Sequence, residues 1–126
     1  MRIVNLTRST VLGTRVMLAD SWWSRFRGYL GRRVPQRGEG ILLVRCNAVH
    51  TYGMAFELDV IFLCADGGVL HMIPEMGPWQ RSPRVPGCRY VLEVPPGTIR
   101  QTGTSVGDSF TWTPLKRLSL ETSEMT

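Results

Sequence analysis

Residues 60–65, Val-Ile-Phe-Leu-Cys-Ala, form the longest apolar run in the chain. Successive side chains of a strand point to opposite faces, so a strand apolar at every position is covered on both sides and lies centrally in its sheet. The run is far shorter than the roughly 20 residues needed to cross a bilayer, and a soluble chain with no membrane partner is expected. Around it, Gly, Pro, Asp and Ser recur roughly every eight to twelve residues, with Val, Ile, Leu and Phe prominent between them. That rhythm predicts short strands joined by turns. The expected fold is mostly β: a single compact β-barrel-like domain over residues 1–114 with one short amphipathic helix. Residues 115–126 lose the apolar pattern and read as a C-terminal tail.

Strands are expected at residues 3–5, 11–12 and 15–19, with Gly13-Thr14 turning a hairpin between the last two. Further strands are expected at 41–45, 57–64, 69–73, 90–94 and 109–113. The stretch "ADGGV" is a strong turn signal, because Asp66, Gly67 and Gly68 tolerate positive φ. The exception to the β rhythm is "DSWWSRFRGYLGR". It offers Asp20 or Ser21 as an N-cap, Trp22, Trp23, Phe26, Tyr29 and Leu30 at helical spacing, and Gly31 as a stop. It predicts a short helix plugging one side of the β core, with Arg25, Arg32 and Arg33 on its solvated face. "MGPWQRSPRVPGC" predicts a long ordered loop or lid.

The amino end alternates apolar and polar residues and shows neither a continuous apolar h-region nor a small-residue cleavage site. Three cysteines, Cys46, Cys64 and Cys88, are an odd number without C-x-x-C spacing, so free thiols and a cytoplasmic location are expected. The net charge of +5 is carried almost wholly by Arg, Lys116 being the only lysine. Such an excess permits weak attraction to nucleic acid or acidic partners but says nothing about fold.

The polar residues that could carry chemistry cluster in "CNAVHTYGMAFELDVIFLC", residues 46–64. Glu57 and Asp59 share one strand face, roughly 7 Å apart. A carboxylate entering a buried strand must be paired or hydrogen-bonded, and backbone N–H groups of the "TYGMAF" turn are the expected donors to Asp59. If "HTYGMAFELD" folds as a hairpin with its tip at residues 53–56, His50 lies opposite Asp59, within reach of an imidazole–carboxylate bond. Asp59 and His50 are therefore the candidate catalytic acid/base pair. Cys46 and His50 form C-x-x-x-H, but the paired spacings of zinc sites are missing, so neither a metal nor a cofactor is expected. Arg25 and Arg27, in an aromatic and basic cluster, and Trp79, in the proline-rich loop beside Arg81 and Arg84, are candidate ligand contacts along with His50 and Asp59. The same interleaving of Arg and Trp is what a weak nucleic-acid binder uses. Trp79 packed as a lid over the barrel end is the alternative reading of that residue.

The segments "RFRGYLGR", "GEGILL", "CNAVHTYGM", "LDVIFL", "GPW", "VLEVPPGT" and "TGTSVGD" stand in an order that resembles domain-of-unknown-function family 192, from about Ala19 to Phe110. The resemblance implies a compact all-β barrel-like fold with one short helix, and implies no activity. Two departures stand out: the family usually has Pro before the Leu/Ile-Asp pair and Asp after the buried run, where this chain has Glu57 and Cys64. Exported members replace the "HT-x-GM" segment and lack the Cys while keeping the equivalent of Asp59, so a role common to the family cannot rest on Cys46 or His50.

No Gly-rich phosphate loop or H-E-x-x-H motif is present. The expected function is thus a non-enzymatic binding module that takes a small polar or anionic ligand, or a partner segment, at one barrel mouth. The alternatives are a hydrolase or transferase using an Asp59–His50 acid/base pair, and an accessory or scaffold protein.

Overall fold

The computed structural model of the protein describes residues 1–21, 25 and 27–112. Strands β1 (Ile3–Asn5), β2 (Thr10–Gly13), β3 (Arg15–Ala19), β4 (Glu39–Val44), β5 (Leu58–Cys64), β6 (Val69–Met76) and β7 (Cys88–Val94) precede helix α1 (Thr98–Thr102), and β8 (Phe110–Trp112) follows it. They build a three-stranded sheet, β2-β1-β8, and a five-stranded sheet, β3-β4-β7-β5-β6. The architecture is mostly β and barrel-like without closing. All pairings are antiparallel except β3 with β4, which run parallel.

Residues 60–63 of the apolar run lie where its two-sided pattern predicted, while Cys64 is half-buried and Ala65 is exposed in the turn that follows. β5 sits between β7 and β6, and Leu58, Val60, Ile61, Phe62 and Leu63 are all fully buried. Burying a side chain of this size contributes about 1.5–3 kcal/mol. The strand feeds two cores by alternation. Ile61 and Leu63 face a core shared with Ile3, Leu12, Phe110 and Trp112 of the small sheet. Leu58, Val60 and Phe62 face the other side, where Tyr29, Val49, Met54 and Val85 from the connecting segments cover the sheet.

Two local expectations change. Gly13-Thr14 does not turn a hairpin: it carries the chain from the small sheet to the large one, and β3 finds its partner in β4, Arg15 opposite Glu39. The crossing is tight. The N–H groups of Thr14 and Arg15 both bond the Gly38 carbonyl (2.9 and 2.8 Å), and a Cβ on Gly13 would lie 2.8 Å from Val16 Cγ2. The second change is α1, a five-residue helix in "GTIRQTG" that the strand rhythm did not announce. Thr98 Oγ1 donates to the Pro95 carbonyl (2.7 Å), and Gly103 closes the helix in the left-handed region. By contrast, the "ADGGV" turn forms as expected, with Gly67 at φ 95° pressed against the Phe110 carbonyl.

Arg25 and Arg27 are helical, and the chain turns from Gly28 onward. The expected apolar positions Trp22, Trp23 and Phe26, and the tail at 115–126, lie outside the described residues. Among the described residues no helix is long and apolar enough to cross a membrane.

Candidate functional site

The outer face of the five-stranded sheet carries a cavity of about 280 Å³. Its walls are apolar, from Tyr29, Leu43, Val49 and Met54; Arg25, Arg27 and Arg45 stand about it with Cys46 and His50; and Glu93 of β7 lies at its floor. The guanidinium groups are oriented by neutral carbonyls: Arg25 Nη1 donates to Arg45 O (3.0 Å), Arg45 Nη2 to Asp20 O (2.9 Å) and Arg27 Nε to Leu30 O (3.2 Å). Among the described residues the ion pairs are Arg8–Asp108 and Arg33–Glu39. Among the described residues, none of the three cavity arginines has a carboxylate partner. Arg45 leaves β4 at φ 57°, a conformation non-glycine residues adopt sparingly and one that recurs at functional sites.

Glu93 is the residue sequence reasoning missed. In "YVLEV" alternation puts it on the same face as Val91, among apolar neighbours, and it is 3% exposed. The Tyr29 N–H bonds its carboxylate, while Oε1 has no hydrogen-bond partner among the described residues. Burial pushes its pKa up to about 7, with the Tyr29 N–H pulling the other way. Gly28 completes the fit: it stands at φ 47°, and a Cβ there would meet Glu93 Oε1 at 2.7 Å. The available signal was a lone acidic residue inside a strand apolar on both faces.

The other ionisable groups respond to the same enclosure. Burial, with the Glu93 and Glu39 charges adding to it, pushes the Tyr29 hydroxyl up to about 12. Burial likewise raises the Cys46 thiol, and Glu93 raises it further against the opposing pull of the Ala48 backbone and Arg25. Cys46 Sγ donates to the Ala48 carbonyl at 3.2 Å. A thiol held in its protonated form is a poor nucleophile.

Of the residues singled out in the sequence, Arg25, Arg27 and His50 meet at this cavity. Trp79 stands outside it at the end of an aromatic row. His50 stacks on Tyr52 (centroids 4.9 Å, planes 22° apart) and Tyr52 lies 6.3 Å from Trp79. Trp79 is 71% exposed, so it does not pack as a lid. Asp59 is elsewhere. It faces Val94 in the β5–β7 register, while His50 bridges to Arg81. Val94 belongs to the core between the sheets, which places Asp59 on the opposite sheet face from His50. The expected hairpin at residues 50–59 does not form, because the chain turns at Thr51–Met54, where Met54 N–H bonds Thr51 O (3.1 Å), and buries Met54 in the outer core. The donors to Asp59 also differ from those expected: Glu75 N–H to Oδ1 and Ile99 N–H to Oδ2, both 2.8 Å.

The three thiols are free. Two of them, Cys64 and Cys88, face each other across β5 and β7, a proximity invisible in linear spacing. Among the described residues no group of three or more His, Cys, Asp or Glu side chains is disposed to hold a metal ion.

The fold and the cavity describe a small mostly-β protein with a basic, apolar-walled pocket on its larger sheet. The chain belongs to the DUF192 family, described as "Uncharacterized ACR", which it matches over residues 3–112. A UPF0127 protein of Thermococcus sibiricus is 29% identical over 116 residues, 87% of this chain and 73% of that one. A UPF0127 protein of Pyrococcus furiosus is 31% identical over 115 residues, 87% and 97% of the two chains. The fold is shared with a crystal structure of a protein of unknown function from Novosphingobium aromaticivorans, at a TM-score of 0.77 and 21% identity over 88% of this chain and 82% of that one.

Proposed function

We propose that the chain is a binding module whose outer-face cavity takes a small ligand bearing an anionic group. The observation that carries this reading is the set Arg25, Arg27 and Arg45, three guanidiniums with no carboxylate partner among the described residues, around one apolar-walled cavity. Guanidinium forks match carboxylate and phosphate oxygens. Apolar walls with a few placed polar groups are the usual make-up of a small-molecule pocket. Three free thiols fit a reducing, cytosolic setting for such a module.

Acid/base chemistry by Asp59 with His50 lacks the juxtaposition it requires, since the two occupy opposite faces of the sheet. Calorimetric titration with inorganic phosphate, acetate and small organic phosphates tests the binding reading. Saturable binding that Arg27→Ala weakens supports it, and at a hundred times its dissociation constant such a ligand adds about 2.7 kcal/mol to stability. Anion binding unaffected by Arg25→Ala and Arg27→Ala together sinks it.

A further inference from the structure

Trp79 is a bulky residue in the left-handed region, at φ 60°, with 71% of its surface in water. Neither property favours the folded state: left-handed backbone costs a non-glycine residue free energy, and an exposed indole gains little from the core. The loop nonetheless holds it there by design of its bonds. Thr51, fully buried, donates its N–H to Gln80 O (2.8 Å) and its hydroxyl to Gly77 O (2.6 Å), and accepts at Oγ1 from Gln80 N–H (2.9 Å). The Trp79 N–H in turn donates to Thr51 O at 3.0 Å. One buried threonine therefore fixes both ends of the turn that displays the indole.

The indole is not isolated. Tyr52, 43% exposed, lies beside it with planes 33° apart, and Tyr52 stacks on His50 at 22°. His50 lines the cavity. A continuous aromatic shelf thus runs from the arginine-rimmed pocket out to Trp79. Gln80, the polar side chain nearest the indole in sequence, is engaged by the Gly77 N–H through its Oε1 (3.2 Å). The shelf therefore offers flat π faces.

We propose that cavity and shelf are one site, and that its ligand joins an anionic group to a planar ring, in the manner of a nucleoside monophosphate. The anion sits among Arg25, Arg27 and Arg45, and the ring stacks on Tyr52 and Trp79. This rests on the reading of the cavity as an anion site. It adds the chemistry of the rest of the ligand.

The test is calorimetric titration of the whole chain with adenosine monophosphate and phenyl phosphate, against their ring-free counterparts ribose 5-phosphate and inorganic phosphate. Stacking on an aromatic side chain leads us to expect each ring compound to bind about tenfold tighter than its counterpart. Trp79→Ala should abolish that advantage and leave ribose 5-phosphate affinity unchanged, and Trp79→Phe should retain most of it. Arg27→Ala should weaken all four. Equal affinities with and without the ring, or a ring advantage that survives Trp79→Ala, overturn the shelf and leave the anion cavity standing. No binding of any probe overturns both. A single-stranded oligothymidylate binding far more tightly than the mononucleotide overturns the small-ligand assignment in favour of single-stranded nucleic acid.

Discussion

The five-stranded sheet buries one carboxylate on each face, and the two are treated in opposite ways. Asp59, toward the small sheet, has a backbone N–H on each oxygen, from Glu75 and from Ile99. It joins the end of β6 and the start of α1 to the central strand β5, so its hydrogen bonding is spent on structure. Glu93, one strand away and on the other face, has the Tyr29 N–H and an Oε1 without a hydrogen-bond partner among the described residues. A carboxylate fully bonded to main chain is a structural pin, whereas one left under-bonded, beside arginines with no carboxylate partner among the described residues, is what the proposed site would hold. The contrast predicts a difference of sign. Removing the first should destabilise the fold, and neutralising the second should stabilise it.

The largest effect is expected on the structural face. Asp59→Ala leaves the buried Ile99 N–H and the part-buried Glu75 N–H without their acceptor, and hydrogen bonds to charged groups contribute about 1.5–3 kcal/mol each. A loss of about 3–5 kcal/mol should appear in urea denaturation at neutral pH, with Asp59→Asn losing less because one acceptor oxygen remains. A loss under about 1 kcal/mol for the alanine variant would show that α1 and β6 do not depend on this carboxylate.

Glu93 should behave in the reverse sense, and only at high pH. Its folded pKa of about 7 stands above the ordinary 4.5, so the folded state holds a proton that the unfolded state has released between these values. Stability is therefore greatest below about 4.5 and falls as pH rises through about 7, a loss of about 3 kcal/mol if it acts alone. Glu93→Gln should flatten this part of the profile, raising stability near pH 8.5 and changing little near pH 4. Unchanged pH dependence in the variant would show that Glu93 ionises no less easily in the fold than outside it.

Gly28 sharpens the same comparison on a smaller scale. Gly28→Ala places a methyl 2.7 Å from Glu93 Oε1 and holds alanine at φ 47°, so a cost of about 1–2 kcal/mol is expected from the backbone alone. Pairing it with Glu93→Ala should recover whatever part comes from the contact, read as non-additivity in a double-mutant cycle. Strict additivity would mean that the two groups do not touch.

These residues also show what the sequence could and could not reveal. Strands were legible because burial writes a period of two into the chain, and β5 was legible as central because both its faces are apolar. Strand partners were not, since Gly13-Thr14 serves equally well to close a hairpin or to carry the chain across to another sheet. Arg25, Arg27 and His50 were singled out by residue type and position, and all three line one cavity. Asp59 was correctly read as needing hydrogen-bond donors, but those donors come from residues 16 and 40 positions away, a separation that no local pattern encodes. Glu93 was overlooked because it sits in a strand whose hydrophobicity describes its neighbours, and its significance depends on what it lacks in three dimensions.

Trp79 carries the sign test to the edge of the site, where the smallest effect is expected. If the exposed indole contributes little to packing, replacing it with glycine removes a left-handed strain of about 1–2 kcal/mol, offset in part by the greater freedom of glycine in the unfolded chain. Trp79→Gly should then be as stable as the parent or more so by up to about 1 kcal/mol in denaturant titration, while losing the stacking face. Stability gained on loss of a binding surface is the trade-off expected of a residue kept for contact with a ligand. Trp79→Ala separates the two contributions, since it keeps the strain and removes the ring, and should leave stability within about 0.5 kcal/mol of the parent. A loss above about 2 kcal/mol in either variant would make Trp79 part of the packing of the loop. The outer face would then resemble the inner one, a structural surface throughout, and the shelf would have no ligand to explain.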